Sequence, residues 1–350
     1  MSSLDPAISV IVSTRNRAQY LPEVLRTLAT QGCSVPFEVV VIDNGSTDGT
    51  SALLEQWCGR DTRFRTAREP RPGLSRGKNA GVRMARAPLL VFTDDDMRVD
   101  PRWLESYRSL FSGHQEDLLV AGGPVVPIAH DLGAWPEWLD DAALVDVGLL
   151  NYGDRRELVR FEYVWGGNIA VPKLVFDRLG LWDETAGLQA EQRVTREDSR
   201  FYEDTELQDR VRNAGGSAWF CPEAVVHHRV DRRVVTPRLI CSTAFSRGQS
   251  DFWQRRLRIW HQMELGPKQN ALGSLLSLAH SLIGWAFWLM LFRFSERKDY
   301  FGRARHAAFT SGRSLDSLRA GRKSMRLFLG AERVAFPARS LLLRLTPDVG

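Results

Sequence analysis

Cysteine is scarce in this sequence, with four residues in 350 (Cys33, Cys58, Cys221 and Cys241) and no C-x-x-C pair among them. That spacing argues against a disulfide framework and a zinc knuckle, and it fits a reducing compartment. No fixed-period repeat and no low-complexity tract appears, which excludes solenoid and linker-like organisations. Met1 to Ala7 lacks a cationic cluster leading into an apolar stretch, so no signal peptide is expected. Hydrophobic residues make up 43% and charged residues 25%, a globular balance that leaves out disordered, collagen-like and multi-span membrane classes. The length accommodates one large domain or two smaller ones.

The net charge of +5 is unevenly distributed. From Arg293 onward there are 13 Lys and Arg against 5 Asp and Glu, a balance of +8; the first 292 residues hold the remaining 34 and 37, a balance of −3. A slightly acidic body followed by a basic tail points to an anionic partner for the tail.

Ala7 to Val12, Phe37 to Ile42 and Leu89 to Phe92 are apolar, largely β-branched runs too short for typical helices. Leu21, Val24, Leu25 and Leu28 lie between the first two at helical spacing. Unalternated strands separated by helices predict a parallel sheet covered on both faces. Ligands bind such sheets beyond the carboxyl ends of the strands, where the polar clusters 13–17, 43–49 and 93–96 fall.

The cluster at 94–96 is Asp94-Asp95-Asp96. Like charges so close destabilise a loop unless a cation neutralises them. If the segment is extended, Asp94 and Asp96 face one side and converge on an ion while Asp95 points away. Oxygen ligands of this kind suit Mg²⁺ or Mn²⁺, with phosphates completing the shell. A solvated acidic turn capping a helix near Pro101 is the ordinary alternative.

Two other matches fail in context. Gly73-Leu74-Ser75-Arg76-Gly77 fits a nucleophile elbow, with Asp204 and His228 in a permitted order, but Arg68-Glu69-Pro70-Arg71-Pro72 cannot be the central strand that motif needs. Gly73 to Lys78 is one residue short of a phosphate-binding P-loop. What remains is a Gly-rich turn whose Arg76 and Lys78 open a helix from Asn79 and could hold phosphate oxygens.

Further on, Gly166-Gly167-Asn168 allows a close backbone approach or makes a plain turn. Tyr202-Glu203-Asp204-Thr205-Glu206-Leu207 opens a helix expected to end near Gly215-Gly216, and its carboxylates either cap that helix or supply a general base. Ala224-Val225-Val226 reads as a short strand ending in His227-His228-Arg229, a histidine pair that is either structural or a ligand.

Taken in order, I-S-V-I-V-S-T-R-N-R (8–17), V-V-V-I-D-N-G-S-T-D (39–48), G-L-S-R-G-K-N-A-G (73–81), F-T-D-D-D (92–96), G-G-N (166–168), Y-E-D-T-E-L (202–207) and V-V-H-H-R (225–229) resemble glycosyltransferase family 2, the inverting GT-A group. The resemblance spans about residues 7 to 250, through Arg247-Gly248-Gln249-Ser250. It implies a Rossmann-like α/β fold with a mostly parallel sheet and helices on both faces, and a nucleotide-diphosphate sugar as donor. By position, Thr14 and Arg17 would lie on the nucleobase side and Asp43 would hydrogen-bond the base. Lys78, where the family usually has Arg, would face the phosphates as a point charge. Asp94 would lie near the ribose, with Asp95 beside it among the donor-binding residues. Asp96 and His228 would contact Mg²⁺ or Mn²⁺, and Asp204 would be the catalytic base. The stretch Thr185 to Tyr202 departs from the pattern; it could form an acceptor loop, and its Asp198 is a second candidate base. A catalytically idle GT-A-like module that binds a sugar nucleotide or glycan is the competing reading.

Leu272 to Phe292 is 21 residues without a charge, long enough to span a bilayer. Arg293, Arg297 and Lys298 after it favour a cytoplasmic flank, and nucleotide sugars are also cytoplasmic, so a single crossing does not satisfy both. The expectation is residues 1–250 as a catalytic domain and 251–350 as a helical, membrane-associating region, cytoplasmic and peripheral or monotopic on an anionic membrane surface. Helices packed in a soluble enzyme are the alternative. The acceptor would be a saccharide, a lipid-linked precursor or a polysaccharide; no nucleic-acid partner is expected.

Overall fold

The structure, a computed structural model, describes residues 5–114, 118–139, 141–159, 163–184, 203–245 and 247–248, together with 278–279, 281–284, 286 and 301–311. The chain gathers into two compact units, one from residues 1–128 and 148–229, the other from 129–147 and 230–350. Residues 230–250, grouped with the catalytic region by sequence, cluster with the second unit.

The first unit opens with β1 (Ile8–Thr14), α1 (Leu21–Ala29), β2 (Phe37–Asp43), α2 (Thr50–Arg60), β3 (Phe64–Arg68), α3 (Leu74–Met84) and β4 (Leu89–Asp94). β2 is buried along its whole length, as its unalternated apolar sequence requires, and α1 buries Leu21, Val24, Leu25 and Leu28 on one face. α3 begins at Leu74, five residues before the expected start. It packs tightly on β1: a Cβ on Gly77 would fall 1.9 Å from Ser13 Oγ, and one on Gly81 would fall 2.4 Å from the Ile11 side chain. Glycine therefore serves helix–strand contact at these positions, inside the helix where its propensity alone is poor.

The chain continues through β5 (Met97–Val99), α4 (Trp103–Ser112), β6 (Leu119–Gly122), β7 (Val125–Ala129), β8 (Glu157–Leu158), β9 (Asn168–Pro172), α5 (Lys173–Leu179), α6 (Glu203–Asn213), β10 (Ser217–Phe220) and β11 (Val226–Val230). The large sheet runs β3-β2-β1-β4-β9-β6-β10-β8, and a smaller one runs β5-β11-β7. β3, β2, β1 and β4 are mutually parallel as expected, whereas β9 is antiparallel to β4 and β6, and β8 to β10. β11 starts at Val226, two residues later than expected, and runs past the histidine pair to Val230.

Register sets the functional edge. Thr14 pairs with Asp43 and Ser13 with Asp94, so three strand ends stand side by side. Because β9 is antiparallel, its start is brought to the same edge, with Asn168 opposite Thr93. In the small sheet His228 pairs with Met97, one residue beyond Asp96.

The second unit has its own apolar cluster, in which Leu139, Ala143 and Val147 pack with Ile240, Phe245, Leu278, Phe301 and Ala304. Asp146, fully buried there, lies 3.1 Å from Arg247 and 3.0 Å from Arg305. Of the stretch 272–292, seven residues are described: Leu278 and Ser281 are buried, while Ile283 is 71% exposed. Among the described residues no helix is long and apolar enough to cross a membrane.

Candidate active site

The carboxylate triplet is not extended. β4 ends at Asp94 and the chain turns through Asp95 and Asp96 before β5, so alternation does not apply. Asp95 therefore does not point away: its Oδ2 accepts a 2.7 Å hydrogen bond from Thr14 Oγ1, and Arg17 Nε lies 3.8 Å from its Oδ1. Asp96 stands between Arg17, 3.8 Å from Oδ2, and His228 Nε2, 3.9 Å from Oδ1. Arg17 and Arg229 stack on Tyr20, 4.8 and 4.7 Å from the ring centre, a grouping with no sequence signal. Burial and the Asp96 charge push Asp95 up to about 7 despite the Thr14 hydrogen bond and Arg17. Asp94 is also raised, first by burial and then by Asp96 and Glu203, against the opposing pull of Lys78.

Asp43, at the end of β2, accepts from the Ser46 N–H at 2.8 Å and from the Ser51 hydroxyl. Burial pushes its carboxyl up, but those hydrogen bonds and the Arg68 charge outweigh this and hold it below the usual range. Each of its oxygens keeps a further lone pair for a ligand donor.

A second group forms where α3, the segment before β9 and α6 meet. Asp204 Oδ2 accepts from the Gly166 N–H at 2.7 Å and Oδ1 from the Thr205 N–H at 2.8 Å. Burial and the neighbouring Glu203 push Asp204 up to about 6, against Lys78 and these two donors. Lys78 is 3% exposed, 3.2 Å from Glu203 Oε1 and 5.0 Å above the Trp182 ring. Its distant partners, Trp182 and Glu203, were not identifiable as a group from local sequence. A Cβ on Gly166 would lie 2.8 Å from Lys78 Nζ, and one on Gly167 2.4 Å from Asp94 Oδ2, so the paired glycines do mark a close approach, between the protein's own groups.

Other expected residues take structural duties. Asn168 is fully buried, donating to the Pro124 and Ala224 carbonyls and accepting from Trp103 and Tyr107. Arg76, expected at phosphate, is engaged by Glu184 and the Pro72 carbonyl. His227 pairs with Asp100 at 3.0 Å, which leaves His228 as the histidine facing the triplet. Ser75 is buried on α3. The candidate base Asp198 and the whole of Thr185 to Tyr202 fall outside the described residues.

The donor set fits a divalent cation. A carboxylate and an imidazole converge at Asp96 and His228, beside Asp94 and Asp95, whose ionisation is disfavoured without added positive charge. Among the described residues, the group whose ligand atoms all lie within 4.8 Å of one another is a different one, His130, Asp131 and Asp231 in the second unit. Its carboxylates already engage the Arg232 N–H and the Arg233 guanidinium.

Comparison with known proteins bears on the fold and on the segment that carries these strand ends. The "Glycosyl transferase family 2" model matches residues 9–163, a segment holding Thr14, Arg17, Asp43, Lys78 and the triplet; Asp204 and His228 lie beyond it. Validoxylamine A glucosyltransferase of Streptomyces hygroscopicus is 29% identical over 202 residues, 51% of this chain and 47% of its own length. Glycosyltransferase AglE of Haloferax volcanii is 32% identical over 127 residues, 36% of this chain and 41% of its own. The chain thus spans about half the length of the first curated relatives it matches, or less. Among solved structures, a mannosyltransferase from Pyrobaculum calidifontis in complex with GDP-Man and Mn²⁺ has a TM-score of 0.51 at 18% identity, covering 98% of this chain and 80% of its own, a likeness of fold. The ordered strand-end motifs, the sheet that carries them and the matched segment agree: residues 9–163 match a glycosyltransferase family 2 domain.

Proposed function

We propose that the protein transfers a sugar from a nucleotide-diphosphate donor to an acceptor hydroxyl with inversion, using Asp204 as general base. The observation that carries this reading is the Asp204 carboxylate, oriented by the Gly166 N–H and shifted up to about 6, at the sheet edge that also holds the Asp94–Asp96 triplet. A carboxylate with that proton affinity is ionised near neutrality and still a useful base.

In this reading Thr14, Arg17, Asp43, Asp94 and Asp95 surround the donor, and Lys78, expected at the phosphates, is instead enclosed beside Asp204 and Glu203. Asp96 and His228 would hold a divalent cation, Mg²⁺ or Mn²⁺, which would supply charge neutralisation for the departing diphosphate. Asp204 takes the proton of the acceptor hydroxyl as its oxygen bonds to the anomeric carbon. The bond from that carbon to the diphosphate oxygen breaks, and the electron pair leaves with the diphosphate. Asp43 and Thr14, fixed at adjacent strand ends, orient the nucleotide so that the anomeric carbon faces Asp204.

The test is incubation with a panel of nucleotide sugars and Mn²⁺, measuring released nucleoside diphosphate and, with acceptors, the glycosylated product. Release that depends on the metal and on Asp204 supports the reading. No release from any donor, with the fold intact, rejects it in favour of an idle binding module.

The apolar stretch 272–292 and the basic residues after it support attachment to the cytoplasmic face of an anionic membrane, with a lipid-linked or polymeric saccharide as acceptor. Cell fractionation with a high-salt wash tests this: protein that never sediments with membranes contradicts it.

A further inference from the structure

Lys78 and Glu203 are costly residues to bury. Lys78 is 3% and Glu203 7% exposed, and taking both charges out of water is costly enough that a well-packed apolar pair would hold α3 against α6 at least as well. Their placement is specific. Glu203 immediately precedes Asp204 in the first turn of α6, and its Oε1 lies 3.2 Å from Lys78 Nζ. Lys78 rests on the Trp182 ring, and the Gly166 backbone that donates to Asp204 passes so close that an added Cβ would meet Lys78 Nζ at 2.8 Å and Asp204 Cβ at 3.1 Å.

We infer that Lys78 and Glu203 form a positioning pair that sets the proton affinity of Asp204, holding the base between a like charge and an opposite one. The inference rests on the reading of Asp204 as the base. Among the described residues the groups facing this site are Glu203 from α6, Lys78 from α3 and Asp94 from the end of β4; the segment before β9 contributes the Gly166 N–H. The Glu203 charge favours the protonated carboxyl and the Lys78 charge the ionised one, consistent with the direction of the Asp204 shift. Lys78 keeps its own proton because Glu203, Asp94 and Asp204 together outweigh the cost of its burial. Without Lys78 the base would lie among carboxylates and stay protonated at neutral pH; without Glu203 it would ionise readily and be a weaker base.

The experiment is a titration of the Asp204 carboxyl by ¹³C NMR in the full chain, with its signal identified by its loss in Asp204→Asn. It is run alongside the pH dependence of kcat with whichever donor of the panel is turned over. Glu203→Gln is expected to lower the Asp204 midpoint by about one pH unit and Lys78→Met to raise it by about as much, with the acid limb of kcat moving in step. Lys78→Met leaves Glu203 buried without its partner, so the double variant Lys78→Met/Glu203→Gln, which removes both charges, provides a second test; its midpoint should return to within about half a unit of the wild type. A pair that serves packing alone would lower Tm and leave the midpoint in place. Unmoved midpoints in folded Glu203→Gln and in the double variant relative to each other and to the wild type overturn the inference. Midpoints that move as stated, in a protein that turns over no donor, uphold the pair's effect on Asp204 and reject the reading of Asp204 as a base.

Discussion

On one side of the site Arg17, Asp95, Asp96 and His228 face one another at 3.8 to 3.9 Å; on the other, Gly166, Asp204, Lys78 and Glu203 are joined at 2.7 to 3.2 Å. The first distances are ion-pair separations longer than a hydrogen bond, while Asp95 also accepts a 2.7 Å bond from Thr14. The second group is hydrogen-bonded and its lysine is enclosed. Under the proposed function the difference would separate two tasks: the longer contacts would leave room for a donor and its cation, whereas a base would need an orientation held before the acceptor arrives.

The largest effect should come from the tight side. Asp204→Asn keeps the shape and the Thr205 and Gly166 neighbours but removes the base, so kcat should fall about 10²- to 10⁴-fold while donor affinity, measured by calorimetry, stays within about twofold. A variant that transfers sugar at the normal rate would erase the distinction between the two sides.

Asn168 tests whether the G-G-N sequence belongs to either side. Replacing it with Ala strands the Trp103 and Tyr107 donors and two carbonyls in the core, and chemical denaturation should show a loss of about 2–4 kcal/mol. Reduced turnover with unchanged stability would make Asn168 a functional residue after all.

His228→Ala should act on the loose side alone. The divalent-ion concentration needed for half-maximal activity should rise about tenfold, with the saturated rate less affected. An unchanged metal requirement would remove His228 from the ligand set.

The smallest effect concerns pH. With Asp204 raised to about 6, kcat should fall to half near that pH and decline further below it as the carboxyl takes up its proton. The same shift has a stability consequence of opposite sense. A carboxyl raised on folding stabilises the protein most below its unfolded value, about 4, and that contribution is lost as pH rises through about 6. Asp204→Asn should flatten this part of the dependence of Tm on pH.

Much of this arrangement was readable in the residues themselves. The runs ending at Thr14, Asp43 and Asp94 became adjacent parallel strands because each is apolar without alternation. Asn168-Ile169-Ala170-Val171 reads the same way, yet β9 is antiparallel: burial on both faces is compatible with either direction. α3 begins inside the Gly-rich stretch that reads as a turn, because Gly77 sits against Ser13 on β1, a contact no local signal carries. Alternation failed at Asp94–Asp96 because the chain turns there, so Asp95 meets Thr14.

The sequence by itself determined the resemblance to glycosyltransferase family 2, the sheet edge that carries polar residues and the carboxylates available for chemistry, because apolar runs and short motifs are local and survive without knowledge of neighbours. Only the tertiary structure decided that Lys78 meets Glu203 across 125 residues, that Asn168 belongs to the core and that His227 is held by Asp100. Ion pairs and buried hydrogen bonds form at a few ångströms, and which side chains come that close depends on strand direction and register.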